Sequence, residues 1–150
     1  MNLDVYCDGG SRANPGNAAC AFVVYERFGN TAGNLRKIVG KGTFLGVATN
    51  NVAEYKAVVE ALDWLLGFAR TNSGIEKITF NLDSNLVASQ INGLFRVKEN
   101  RLITLFGQVR LMLEALAKLL PGTKVCFQYI PRAQNSEADG LVNLTLDRNT

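Results

Sequence analysis

The hydrophobic pattern of this chain first changes period near residue 50, and that change constrains the fold more than any other feature. Before it lie three runs of strand character, "LDVYCD", "ACAFVVYER" and "RKIVGKGTFLG", separated by the turn signals "GGSRANPGN" and "FGNTAGN". Such runs predict an antiparallel meander whose third strand is weakened by its glycines. After it, Ala53, Ala57, Val58, Ala61, Leu62 and Leu65 recur along one helical face, with Thr49, Asn50 or Asn51 available as the N-cap. The pattern then alternates. "EKITFNLD" reads as a strand, "SNLVASQING" as a short helix with Gly93 beyond its end, and "RLITLFGQVRLMLEALAKLL" as a long helix closed by Pro121 and Gly122. "KVCFQYI" follows as a strand and "NSEADGLVNLTLD" as a last helix. The order β-β-β-α-β-α-α-β-α predicts an α/β fold. Its five-stranded mixed sheet has three antiparallel strands plus two parallel ones, with helices on both faces.

A chain of 150 residues with 47% apolar content buries one core more comfortably than two, so a single domain over 1–150 is expected. It opens on Met1 and closes soon after the last helical pattern. The expectation is therefore a free-standing domain rather than a piece of a larger or fused protein, and a monomer is expected. No apolar run is long enough to span a bilayer and no signal segment is visible, which predicts a cytoplasmic protein without a membrane partner. A net charge of +3 and a pI near 8.9 permit a polyanionic partner without demanding one.

Histidine is absent. That removes Ser-His-Asp and Cys-His catalysis and every histidine-based metal site, leaving carboxylates, arginine, lysine and hydroxyls to carry any chemistry. Cys7, Cys20 and Cys126 each sit singly within an apolar run, the pattern of small buried hydrophobes in a reducing compartment.

Four carboxylates stand where ligands collect in open α/β sheets. Asp8 is expected to end the first strand and Asp83 the fourth, while Glu54 falls in the first turn of the long helix and Asp139 early in the last one. If the first and fourth strands are parallel neighbours, Asp8 and Asp83 come side by side. Carboxylates held that close repel unless cations lie between them, and oxygen-only donors suit Mg2+ or Mn2+ rather than zinc or copper. Two such ions would suit in-line displacement at phosphorus. Taken singly, each acid has an ordinary alternative as a turn former or a partner of the helix dipole.

The local sequence around each acid is more specific than that. "DGGSRANPG", "TNNVAEYKAVVEAL", "DSNLVASQINGLFRVK" and "IPRAQNSEADGLVN" follow one another in the order of type 1 ribonuclease H, which this chain resembles from Asp8 to about Asn143. The resemblance implies a ribonuclease H-like fold and an endonuclease that hydrolyses the RNA strand of RNA·DNA hybrids. It would use two Mg2+ ions, with Mn2+ as substitute, and leave 5′-phosphate and 3′-hydroxyl ends. Asp8, Glu54, Asp83 and Asp139 fall on the family's metal-binding carboxylates. Gly9 and Gly10 would let backbone approach the RNA ribose. Asn14, Asn50 and Asn85 match positions that reach groove edges and 2′-hydroxyls, and Thr49 one that holds a DNA phosphate. Ser11, Asn51 and Lys98 complete the expected substrate-facing set. Turn and cap chemistry remains an open alternative for Thr49, Asn50 and Asn51.

Two departures from the family pattern stand out. Better-studied members carry a histidine before the last helix, where this chain has Arg132, as in the archaeal-type branch it resembles most. An arginine stays protonated, so it suits stabilisation of phosphate charge or product release rather than general base work. The other reading of Arg132 is a surface residue near the sheet edge. The basic protrusion of larger members is missing, with Arg96 and Lys98 the nearby basic residues, so affinity should be modest and salt-dependent. Trp64 reads as core packing rather than a stacking platform. Competing expectations are a relative acting on structured DNA or double-stranded RNA, and a hybrid-binding module without catalysis.

Overall fold

The computed structural model describes residues 1–29 and 34–150; the turn expected at 28–34 lies mostly outside the described residues. Its elements run β1 (Asn2–Ser11), β2 (Gly16–Arg27), β3 (Leu35–Ala48), α1 (Asn50–Ala69), β4 (Lys77–Leu82), α2 (Asn85–Ile91), α3 (Asn100–Leu119), β5 (Lys124–Tyr129) and α4 (Ser136–Asn149). A single 3-10 turn, Arg132–Gln134, precedes α4. The sheet has the order β3-β2-β1-β4-β5, with β1, β2 and β3 antiparallel and β4 and β5 running parallel to β1. This is the mixed five-stranded arrangement expected from the period change.

Period 2 in the strands sends alternate residues to opposite faces. On β1, Leu3, Val5 and Cys7 are fully buried beneath α1, in a core shared with Phe22, Tyr55, Leu62, Leu65, Ile78 and Phe80. Trp64 packs on that core, stacked on Phe68 with ring centroids 4.7 Å apart and tilted against Phe22. Asp4, Tyr6 and Asp8 consequently face the other side. There α4 covers β2 and β3, packing Val142 and Leu146 on Ala19 and Ala21. The segment "LTLDRNT" thus forms the last turns of α4 and docks on the sheet. All three cysteines carry free thiols, Cys7 and Cys20 buried and Cys126 half-buried.

The glycines that made β3 look weak as a strand have a packing reason. A Cβ on Gly42 would fall 2.1 Å from Thr145 Oγ1 and 3.2 Å from the Leu141 carbonyl oxygen, so α4 can lie this close to β3 because residue 42 has no side chain.

One strand boundary differs from the expectation. Parallel pairing of β1 with β4 stops at Cys7 opposite Leu82, but antiparallel pairing with β2 continues to Ser11 opposite Ala18. Asp8 therefore does not end its strand. It sits one residue past the end of the parallel ladder, with Gly9, Gly10 and Ser11 still held by β2. The local composition signals a turn there, and the ladder from β2 overrides it.

Candidate active site

Three elements converge at this point of the sheet. Asp8 projects from β1 beside Asp83, the first residue after β4, and Glu54 comes down from the first turns of α1. One carboxylate oxygen from each lies within 4.8 Å of the others, the tightest acidic grouping among the described residues. The approach of α1 depends on Gly9. A Cβ there would lie 2.2 Å from the Ala53 carbonyl carbon and 2.5 Å from the Glu54 nitrogen, so the helix start rests directly on strand backbone. Gly10 is different, since its nearest neighbour would be Val142 Cγ1 at 3.7 Å.

The start of α1 is pinned from both directions. Thr49 Oγ1 accepts from the Val52 amide at 3.2 Å, the N-cap bond expected of a threonine. Asn50 Oδ1 accepts from the Ser11 amide at 2.8 Å, while the Asn50 amide donates to Asn14 Oδ1 at 3.0 Å. The turn between β1 and β2 is thereby locked to the helix that carries Glu54. Ser84 caps α2 in the same way, donating no charge but accepting from Val87 at 3.2 Å directly after Asp83.

Asp139 approaches from the opposite wall. It lies in the first turn of α4, its amide bonded to the Asn135 carbonyl at 3.0 Å, and its carboxylate stands 3.6 Å from the Arg132 guanidinium. Asn143, one turn later, donates to the Asp139 carbonyl at 3.1 Å. Asp139 is not within the trio of mutually close carboxylates, but it faces the same cleft of about 360 Å³, whose wall includes Gly10, Ser11, Asn50, Asn51 and Arg132.

Without a cation the trio is uncomfortable. Burial, with the charge of Asp83 next, pushes the Asp8 carboxyl up to about 7. Burial and the charges of Asp8 and Asp83 raise Glu54 well above the usual carboxylate range, and Glu54 Oε2 is buried without a hydrogen-bond partner. Asp83 is also raised by burial, but the Asn135 amide and the charge of Arg132 pull it back. A divalent cation removes all three penalties together, so the donor set fits one.

The comparisons with known proteins agree with this geometry. A profile of the Reverse transcriptase-like family matches residues 6–145. The crystal structure of LC11-RNase H1 in complex with RNA/DNA hybrid superposes with a TM-score of 0.82 at 32% identity, covering 98% of each chain. Ribonuclease H1 from Halobacterium salinarum gives a TM-score of 0.77 at 32% identity over 99% of each chain. The chain belongs to the type 1 ribonuclease H family. Among curated relatives, Ribonuclease HI of Halobacterium salinarum is 33% identical over 145 residues and the Bifunctional protein Rv2228c of Mycobacterium tuberculosis 33% identical over 147. The chain spans 64% of the length of the first and 36% of the second.

Not every residue that the ribonuclease H resemblance singles out shares the cleft. Asn14 and Thr49 use their side chains in the locks just described. Asn85 is exposed at the start of α2, where its Oδ1 accepts from the Ser89 hydroxyl at 3.3 Å. Lys98 lines a neighbouring groove with Asn51, Leu94, Phe95 and Arg96, and Asn51 borders both hollows.

Sequence reasoning missed Asn135. Only 1% exposed, it donates Nδ2 to the Cys7 carbonyl at 2.8 Å and to Asp83 Oδ2 at 3.2 Å, tying the start of α4 to both acidic strands. An asparagine before a helix reads as a cap, yet this side chain caps nothing in α4. Arg12 reads in the sequence as a turn residue, an exposed side chain or a substrate contact; in the structure its guanidinium reaches Asp147 at 2.5 Å and the Asn143 carbonyl at 3.4 Å.

Proposed function

We propose that this protein is an endonuclease that hydrolyses the RNA strand of RNA·DNA hybrids, acting as one ribonuclease H domain over residues 1–150. The observation that carries the reading is the convergence of Asp8, Glu54 and Asp83 from three separate elements to within 4.8 Å, with Asp139 across the same cleft. Asp8, Glu54 and Asp83 would hold a divalent cation, and Asp139 with Asp8 would contribute to a second; Mg2+ is the ion proposed, with Mn2+ able to substitute. When bound, such cations neutralise the clustered carboxylates, lower the pKa of water and polarise phosphoryl oxygens, which supports hydrolysis to 5′-phosphate and 3′-hydroxyl ends.

The chain's own residues supply position and charge. Asn135 holds the Asp83 carboxylate in place and favours its ionised form. The Ser11–Asn50–Asn14 lock fixes Glu54 relative to β1, so the acids are presented on rigid elements. Arg132 stands by Asp139, where its guanidinium can stabilise charge developing on a phosphate. Gly10, Ser11 and Asn50 form the wall proposed to meet the RNA ribose, and Asn51 leads into the Lys98 groove proposed for the partner strand. Asn14, Asn85 and Thr49 are proposed as outer contacts.

The test is Asp83→Asn, an isosteric change that removes one ligand charge. Mg2+-dependent cleavage of the hybrid should fall to background while the circular dichroism spectrum is unchanged, and retained cleavage contradicts the metal assignment. A parallel panel of hybrid, duplex RNA and duplex DNA separates the proposed substrate from its alternatives.

A further inference from the structure

Arg12 lines the cleft but takes its ionic partner, Asp147, from outside the acidic cluster. Four carboxylates face that space, and among its described lining residues only Arg12 and Arg132 are basic. Arg132 stands by Asp139. Arg12 instead reaches away from the acidic trio to Asp147, near the end of α4. A polyanion entering this cleft must meet positive charge somewhere on its walls, and Asp147 occupies one of the two basic side chains among the described residues that line it.

We propose that Arg12 is a phosphodiester anchor at the rim of the cleft and that Asp147 is its resident competitor. The inference rests on the ribonuclease H reading and adds a determinant of affinity to it. Two features make an exchange of partners cheap. The base of Arg12 is fixed, because its amide donates to the Asn17 carbonyl at 3.0 Å and the Ser11 amide to Asn50 Oδ1 at 2.8 Å, so only the side chain has to move. The ion pair is also solvated, with the two side chains 42% and 65% exposed, and pairs of that kind contribute little to stability. Asp147 left behind would be rehydrated rather than stranded. A phosphate offers the guanidinium the same forked, charge-assisted geometry as a carboxylate, and it releases counterions that Asp147 does not hold. The end of α4 thereby sets how much charge Arg12 can lend to substrate.

The alternative is a simple staple, in which the pair only fastens α4 to the β1–β2 turn. A staple predicts that losing either partner has the same effect, whereas competition predicts effects of opposite sign. The experiment measures KM and kcat for a labelled hybrid across 50 to 200 mM KCl, about the range over which phosphate contacts are read, for wild type, Arg12→Gln, Asp147→Asn and the double variant. Asp147→Asn should lower KM about two- to fivefold with kcat unchanged, the scale of an exposed ion pair. Arg12→Gln should raise KM about tenfold and reduce the salt slope by about one. In the Arg12→Gln background the Asp147 change should do nothing, and Asp63→Asn, an exposed acid on α1, should not mimic it.

An Asp147→Asn effect that persists without Arg12 reduces the result to general electrostatics and overturns the proposal; so does a KM increase in both single variants. Hybrid binding followed by fluorescence anisotropy in the Asp83→Asn background repeats the comparison without turnover. Binding without cleavage in wild type would refute the hydrolase reading yet still decide between anchor and staple, and no binding at all overturns both. Neutral methylphosphonates placed singly in the RNA or the DNA strand locate the contact. The position that erases the difference between wild type and Arg12→Gln is the anchored phosphate, and if none does, the ligand is not a phosphodiester.

Discussion

Replacing Gly9 by alanine should move Glu54 without altering it. The added Cβ would sit 2.2 Å from the Ala53 carbonyl carbon, 2.3 Å from its oxygen and 2.5 Å from the Glu54 nitrogen, all of them backbone atoms that cannot swing aside. Ordinary contact begins near 3.4 Å, so β1 and the start of α1 must part by about 1.2 Å. Overpacking of this kind costs about 1–3 kcal/mol, and a clash with backbone belongs at the upper end. For a chain of this size about 3 kcal/mol corresponds to a Tm lower by roughly 6–12 °C. A displacement of about 1 Å at a catalytic group costs on the order of 100-fold in rate, so kcat should fall by about that much and the metal midpoint should rise. Gly10→Ala is the control. Its Cβ would meet Val142 Cγ1 at 3.7 Å, an ordinary contact, so Tm should stay within about 2 °C, and any loss should appear in KM because residue 10 faces the cleft. Thermal melts and steady-state assays over a Mg2+ titration read both variants. If Gly9→Ala melts near wild type with an unchanged metal midpoint, helix contact is not what residue 9 provides.

Two further outcomes follow from the surroundings of the acids. Asn135→Ala should lower stability by about 1–3 kcal/mol, because the buried Cys7 carbonyl loses its donor; Asn135→Asp, though closer in shape, should lose more kcat by setting a carboxylate against Asp83, and the reverse order in a side-by-side kinetic assay would contradict the assigned bridge. In the metal-free protein the Asp8 carboxyl, raised to about 7 from an ordinary value near 4, favours the folded state while protonated, so its contribution is present at acid pH and is lost as pH rises toward and through 7. Melts in chelator at pH 4.5, 6 and 8, read as wild type minus Asp8→Asn, should show that loss, and Mg2+ should raise Tm more at pH 8 than at pH 5; a flat difference across the window would refute the crowding of the acids.

The order of elements was legible in the sequence because period 2 and period 3.6 are local properties, and the change near residue 50 separates them cleanly. The neighbours of each acid were legible for the same reason, since each belongs to a short contiguous motif. What escaped depends on contacts distant in sequence. Gly9 looked like a permissive turn residue, and only the crossing of α1 shows why no side chain fits. Gly42 looked like a flaw in a strand until Thr145, over 100 residues later, was seen to occupy the space of its side chain. Asn135 stood only as the first residue of the last helical pattern, and its partners are residues 7 and 83. Lys98 lines a groove adjoining the cleft of the acids, on the loop between α2 and α3, a placement that no local pattern in the sequence signals.

The decisive measurement is cleavage of a hybrid labelled separately on its RNA and DNA strands, followed through a Mg2+ and Mn2+ titration with the product ends mapped. A two-cation hydrolase of hybrids should show no cutting in chelator, metal-dependent cutting confined to the RNA strand, and products bearing 5′-phosphate and 3′-hydroxyl groups. Cutting of the DNA strand, or RNA cleavage that persists without a divalent cation, would contradict that reading.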